Sequence, residues 1–177
     1  MALPPVSPPA RPLIVTLALP QKMASRLDAL RRAWYPPARN QVPAHLTLFR
    51  HLPGPGMPDI LQAVQSEAVR TPPFPVTILG AEVWQEAVVL PVHSPELEDL
   101  HARLKERWAP LLIPADRAPF RPHVTIASRL DRTGRAAALA ALARDWPRPV
   151  MSEALGLCLW RYDDGPWSLL VRIALRR

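Results

Sequence analysis

Two short stretches of this chain, "HLTL" at 45–48 and "HVTI" at 123–126, spell the same order of histidine, aliphatic, threonine, aliphatic. Side chains on a strand alternate faces, so His45 and Thr47 share one face of their stretch, and His123 and Thr125 one face of theirs. The aliphatic residues between them point the other way, into a core. An imidazole near its ordinary pKa takes or gives a proton at neutral pH. Two of them on opposite sides of one reacting centre can do both in a single step. A threonine hydroxyl beside each offers a hydrogen bond to a phosphoryl oxygen. A phosphodiester fits this set: it needs a proton removed from the nucleophile, a proton given to the leaving oxygen, and donors for the charge that builds up. One such tetrad would be a weak signal, because threonine is common in strands. Two copies, each in a strand-like run and each followed by a helical pattern, carry far more.

The elements that must position these residues are legible from periodicity. Residues 12–20 are β-branched and closed by Pro20, which predicts a strand. Met23, Leu27, Leu30 and Trp34 recur at helical spacing over 21–35. A loop leads to the first tetrad strand, which "PGPG" ends, and Pro58 opens a helix running to Arg70. Residues 76–84 and 87–93 read as two strands about a turn at Gln85 and Glu86. Ser94 caps a helix with Pro95 in its first turn and a stripe of Leu97, Leu100, Leu104 and Trp108. The second tetrad strand follows, then an alanine-rich helix ended by Pro147, then a closing hairpin from "SEALGLCLWRY" and "WSLLVRIALRR" around "DDGP". The order amounts to one unit used twice: helix, tetrad strand, helix, hairpin. No Gly/Ser-rich linker divides the halves. The expectation is a flexible proline-rich leader over 1–11 and a single two-lobed domain over 12–177.

The chain has 177 residues and a formal net charge of +7, carried mostly by arginine. Arginine enrichment is what a GC-rich genome gives; it is equally what a polyanion partner would attract. No apolar run approaches the roughly 18 residues of a membrane span, and the first residues lack the basic and apolar regions of a signal peptide. Cys158 is the single cysteine, so no intrachain disulfide can form. A reducing, cytoplasmic setting is the expectation. HExxH, CxxC and Walker patterns are absent, so neither a metal nor a cofactor is expected.

The tetrads at His45 and at Pro122–Ile126, their separation, the strand–helix order and the mid-chain "VVLPVHSPELEDLHARL" together resemble the 2H phosphoesterases. More closely they resemble the bacterial RNA 2′,3′-cyclic phosphodiesterase branch, also called 2′-5′ RNA ligases. The resemblance implies an α+β fold of two pseudo-symmetric lobes, each an antiparallel sheet with helices outside, around a central cleft. It implies His45 and His123 as the catalytic pair and Thr47 and Thr125 as phosphate binders. It implies hydrolysis of 2′,3′-cyclic phosphate ends of RNA or nucleotides to 2′-phosphates, with reverse 2′-5′ ligation as a further possibility. Two departures stand out. Such members often carry a basic residue five positions past the second histidine, where this chain has Ser128, and "FRHLPG" replaces the usual "F-L-G" continuation of the first motif.

His45 is assigned the leaving oxygen and His123 the water, an assignment that pseudo-symmetry leaves open. By alternation Arg129 lies on the His123 face and is a further phosphate-binding candidate. Arg50 falls off the catalytic face unless a bulge intervenes. His51 is expected at an exposed loop edge, His93 and His101 at the surface, and Arg121 as a strand cap. Phe49 and Trp160 could stack on a base but fit a core as well. Substrates expected are RNA ends or cyclic nucleotides, with no membrane and no obligate protein partner. Two rival readings stay open: an RNA-end-binding protein without significant turnover, and a 2H enzyme working on another small cyclic or 2′-linked phosphate.

Overall fold

A computed structural model describes residues 11–176. The expected leader falls outside the described residues except for Arg11, which pairs with Asp163 at 2.8 Å. The elements in order are β1 (Leu13–Ala18), α1 (Gln21–Trp34), β2 (Leu46–Leu52), α2 (Met57–Arg70), β3 (Phe74–Ile78), β4 (Glu82–Trp84), β5 (Ala87–His93), α3 (Pro95–Arg107), α4 (Pro114–Arg117), β6 (His123–Ser128), α5 (Arg132–Asp145), β7 (Val150–Ala154), β8 (Gly156–Tyr162) and β9 (Trp167–Ala174).

Every strand pairing is antiparallel. The strand order is β7-β3-β5-β6-β2-β1-β8-β9, with β4 paired to β5. The two halves are thus not separate sheets. They join edge to edge into one curled path through a single register pair, Leu46 opposite Val124. The two tetrad strands β2 and β6 are the central neighbours.

The helices bury their apolar stripes against this sheet. α3 places Leu97, Leu100 and Leu104 in the core. The Ser94 hydroxyl at its start accepts from the Leu97 amide at 3.3 Å, as the sequence predicts. α5 is capped by Asp131, whose carboxylate accepts from the Gly134 amide at 2.6 Å. α1 from the first half packs across on β6 of the second.

Three differences from the sequence reading have local causes. The expected strand over 76–84 is two, β3 and β4, because the pairing to β5 shifts register by one residue across Leu79–Ala81. The expected hairpin strand over 152–162 is also two. Leu155 separates β7, which pairs β3, from β8, which pairs β1 and β9 at the far side of the sheet. The short helix α4 lies where no periodicity marks one.

Candidate active site

His45 stands directly ahead of β2 and His123 is the first residue of β6. Antiparallel register about Leu46–Val124 sets His45 opposite Thr125 and Thr47 opposite His123, on one face of the sheet. Each histidine therefore faces the other motif's threonine. His45, Thr47 and His123 line one cavity of about 590 Å³, within the range of small-ligand sites. Thr125, half-buried, is not part of that lining.

The two imidazoles are held in the same way. Nδ1 of His45 lies 2.7 Å from the Pro43 carbonyl, and Nδ1 of His123 lies 2.7 Å from the Arg121 carbonyl, two residues back in each case. A carbonyl only accepts, so both Nδ1 atoms carry the proton and both Nε2 atoms are left for a ligand. Burial pushes His45 down to about 4, with the charges of Arg31 and His123 adding to the effect. Burial also lowers His123, helped by Arg50 and Arg121.

Alternation fails just beyond each threonine. Thr16 and Val15 of β1 face Thr47 and Phe49 of β2, so one extra residue is inserted there. Val89 and Val88 of β5 face Thr125 and Ala127 of β6, the same insertion at the equivalent place. Each is a β-bulge. It leaves two successive buried residues, Leu48 and Phe49 in one strand, Ile126 and Ala127 in the other. The phase beyond is reversed.

Arg129 is therefore not brought to the site. It lies past the end of β6 with φ +57° and lines a separate depression with Arg39 and Glu86. Arg50 is brought in instead, and lines the cavity. It occupies in the first motif the place that Ser128 occupies in the second. His51 is exposed and outside the lining, as expected, but lies within β2 and not at a loop edge.

Several residues in or behind the lining were given no site role in the sequence reading. Asp116 of α4 is buried and accepts the backbone amides of Arg50 and His51 at 3.0 and 3.1 Å, with the Arg50 guanidinium 3.4 Å away. Burial raises its pKa despite those donors. His101 is not at the surface: it is 4% exposed, stacked between Phe49 and Phe120 at ring separations of 4.6 and 3.7 Å. Burial pushes it down to about 4. Arg31, 3% exposed on α1, donates Nε to Asn40 at 2.9 Å and a terminal nitrogen to the Thr125 carbonyl at 2.8 Å. Its signal was present: it follows Leu27 by one helical turn, a charge on the apolar stripe. Trp84 and Trp167 also line the cavity, each beside a histidine. Phe49 and Trp160, the aromatic candidates from sequence, do not.

The fold is that of known phosphoesterase structures. The chain is similar to TT0787 of Thermus thermophilus, with 21% identity and a TM-score of 0.64 over 93% of this chain and 98% of that one. It is similar to E. coli LigT complexed with 3′-AMP, with 20% identity and a TM-score of 0.65 over 94% and 99%. It is similar to Kluyveromyces marxianus Usb1, with 14% identity and a TM-score of 0.53 over 94% and 99%. No curated protein sequence matches the chain. The family model of the 2′-5′ RNA ligase superfamily matches residues 19–166, and the chain belongs to that superfamily.

Proposed function

We propose that the chain is a metal-independent phosphodiesterase that hydrolyses 2′,3′-cyclic phosphate ends of RNA or nucleotides by two-histidine acid–base catalysis. The observation that carries this is the matched pair of imidazoles, each with Nδ1 tied to the carbonyl two residues back and Nε2 left to one cavity. Thr47 and Thr125 supply donors to the phosphoryl oxygens, and Arg50 a cation. Structures of E. coli LigT with 3′-AMP, ATP and phosphate support a nucleotide in this cleft.

In-line displacement needs one imidazole neutral and one protonated. One ring serves as base to the attacking water and the other as acid to the leaving ribose oxygen; both are held in the same way, so the geometry is matched to the pair of roles and not to one order of them. The phosphodiester's negative charge, once between the rings, favours their protonation. Incubation with adenosine 2′,3′-cyclic phosphate, followed by phosphorus NMR, tests the reading. A single isomer, the 2′-phosphate, is expected. Unreacted cyclic phosphate bound in the cleft would instead favour an end-binding protein, and a predominantly 3′-phosphate product would reject the orientation that the family likeness implies.

A further inference from the structure

Each catalytic-site histidine has its own tryptophan. The Trp167 ring lies 4.5 Å from His45, and the Trp84 ring 4.9 Å from His123. The two tryptophans come from the two hairpins of the pseudo-symmetric halves. Trp84 ends β4 at its turn into β5, and Trp167 opens β9 after its turn from β8. Both line the cleft and neither is buried in the core.

Both rings are pinned. The Trp84 indole N–H donates to Glu82 at 2.6 Å, and the Arg121 guanidinium lies over the ring at 3.8 Å. Trp167 is set by its hairpin tip. Gly165, at φ +145°, approaches Gln41 so closely that a Cβ would come within 2.3 Å of Oε1. Trp160 packs beside Trp167 at 6.2 Å and is itself held by Thr16 at 2.8 Å. Half-exposed indoles fixed in place are poor core residues and good stacking surfaces.

We propose that Trp84 and Trp167 are two separate base-stacking platforms, and that the cleft is built for two nucleosides joined by one phosphodiester. The inference rests on the phosphodiester reading of the same cleft. In-line chemistry sets the attacking and leaving oxygens on opposite sides of phosphorus, one toward each imidazole, and in transfer between two nucleosides these are the 3′ oxygen of one ribose and the 5′ oxygen of the other. A nucleoside on either oxygen carries its base one ribose further on, to the tryptophan packed against that imidazole. A mononucleoside cyclic phosphate has one base and fills one platform. A diester between two nucleosides fills both.

Equilibrium binding separates these cases. The two-base ligand is 3′-deoxyadenylyl-(2′→5′)-adenosine, which lacks the hydroxyl that would attack its own phosphorus. The one-base ligand is adenosine 2′-phosphate. Against wild type, Trp84→Leu and Trp167→Leu should each weaken the two-base ligand by roughly five- to a hundredfold, the range for losing one stacked base. Only one of the two variants should weaken the one-base ligand. Trp84→Phe and Trp167→Phe should restore most of the loss, which a purely structural role would not predict. Equal affinity of wild type and both Leu variants for the two-base ligand would overturn the platforms. Equal losses for both ligands in both variants would do the same, assigning the indoles to support of the histidines. Failure of wild type to bind either ligand would reject the phosphodiester reading itself.

Discussion

At the scale of single residues, the proposed chemistry divides among groups whose loss has different signatures. His45→Ala and His123→Ala should each lower turnover by roughly 10²–10⁴-fold with the fold retained by circular dichroism. Wild-type turnover in a folded variant of either would end the acid–base scheme. Arg50→Ala should lower kcat/KM by roughly ten- to a hundredfold, the effect of losing a hydrogen bond to a charged group. Arg129→Ala, off the cleft, should leave it unchanged. A steady-state comparison of the two arginines tests the bulge-shifted placement directly. The pH profile follows from the imidazoles. With His45 near 4 and His123 below its ordinary 6.5, the singly protonated pair of the free enzyme is most populated on the acid side of neutrality. kcat/KM should peak below pH 6.5, and kcat, which reports the liganded pair, at higher pH. A kcat/KM maximum above pH 7.5 would contradict it.

At the scale of elements, the paired bulges decide which side chains reach the cleft. Each follows its threonine by one residue, and each is backed by the core through two successive buried side chains. In β2 the bulge has outside support: the His101 ring of α3 stacks on Phe49, and Asp116 of α4 accepts the next free amides. α4 therefore has a definite task, holding the reversed phase that presents Arg50. β8 and β9 make an equally close fit. A Cβ on Gly156 would lie 2.6 Å from the Ile173 carbonyl oxygen, and backbone cannot swing aside as a flexible side chain can. Gly156→Ala should cost about 1–3 kcal/mol. Asp131→Ala should cost about 1 kcal/mol through the lost cap of α5. Urea denaturation reads both as a lower midpoint at constant m-value; an unchanged midpoint for Gly156→Ala would mean that β9 can shift freely.

For the molecule as a whole, His45 and His101 link stability to pH. Both bind protons more weakly folded than unfolded. Their contribution is fully present above the unfolded value near 6.5 and is lost as pH falls toward 4, because the unfolded chain takes up more protons in that window. Asp116, raised by burial, acts in the opposite direction just above the ordinary carboxylate range. Tm should fall between pH 7 and pH 5, by about 2–4 °C per kcal/mol for a chain of this size. The fall should be shallower in His101→Phe, which cannot titrate. A Tm that is flat over that window would mean that these rings are open to protonation in the folded state.

The duplicated tetrad, the order of strands and helices, the cap at Ser94 and the family likeness were all legible in the sequence. They depend on local spacing and on residue type, which a chain displays wherever it folds. The tertiary structure alone decided the phase beyond each threonine. A bulge exists only relative to a partner strand, and neither β1 nor β5 is adjacent in sequence to the residues it offsets. Alternation therefore sent Arg129 to the cleft and left Arg50 out, and the pairing reversed both. The same holds for His101, whose helical position says nothing of the Phe49 and Phe120 rings that enclose it. It holds for Trp84 and Trp167 as well: each sits beside a hairpin turn in the sequence, and only the curl of one continuous sheet carries both hairpins to opposite histidines.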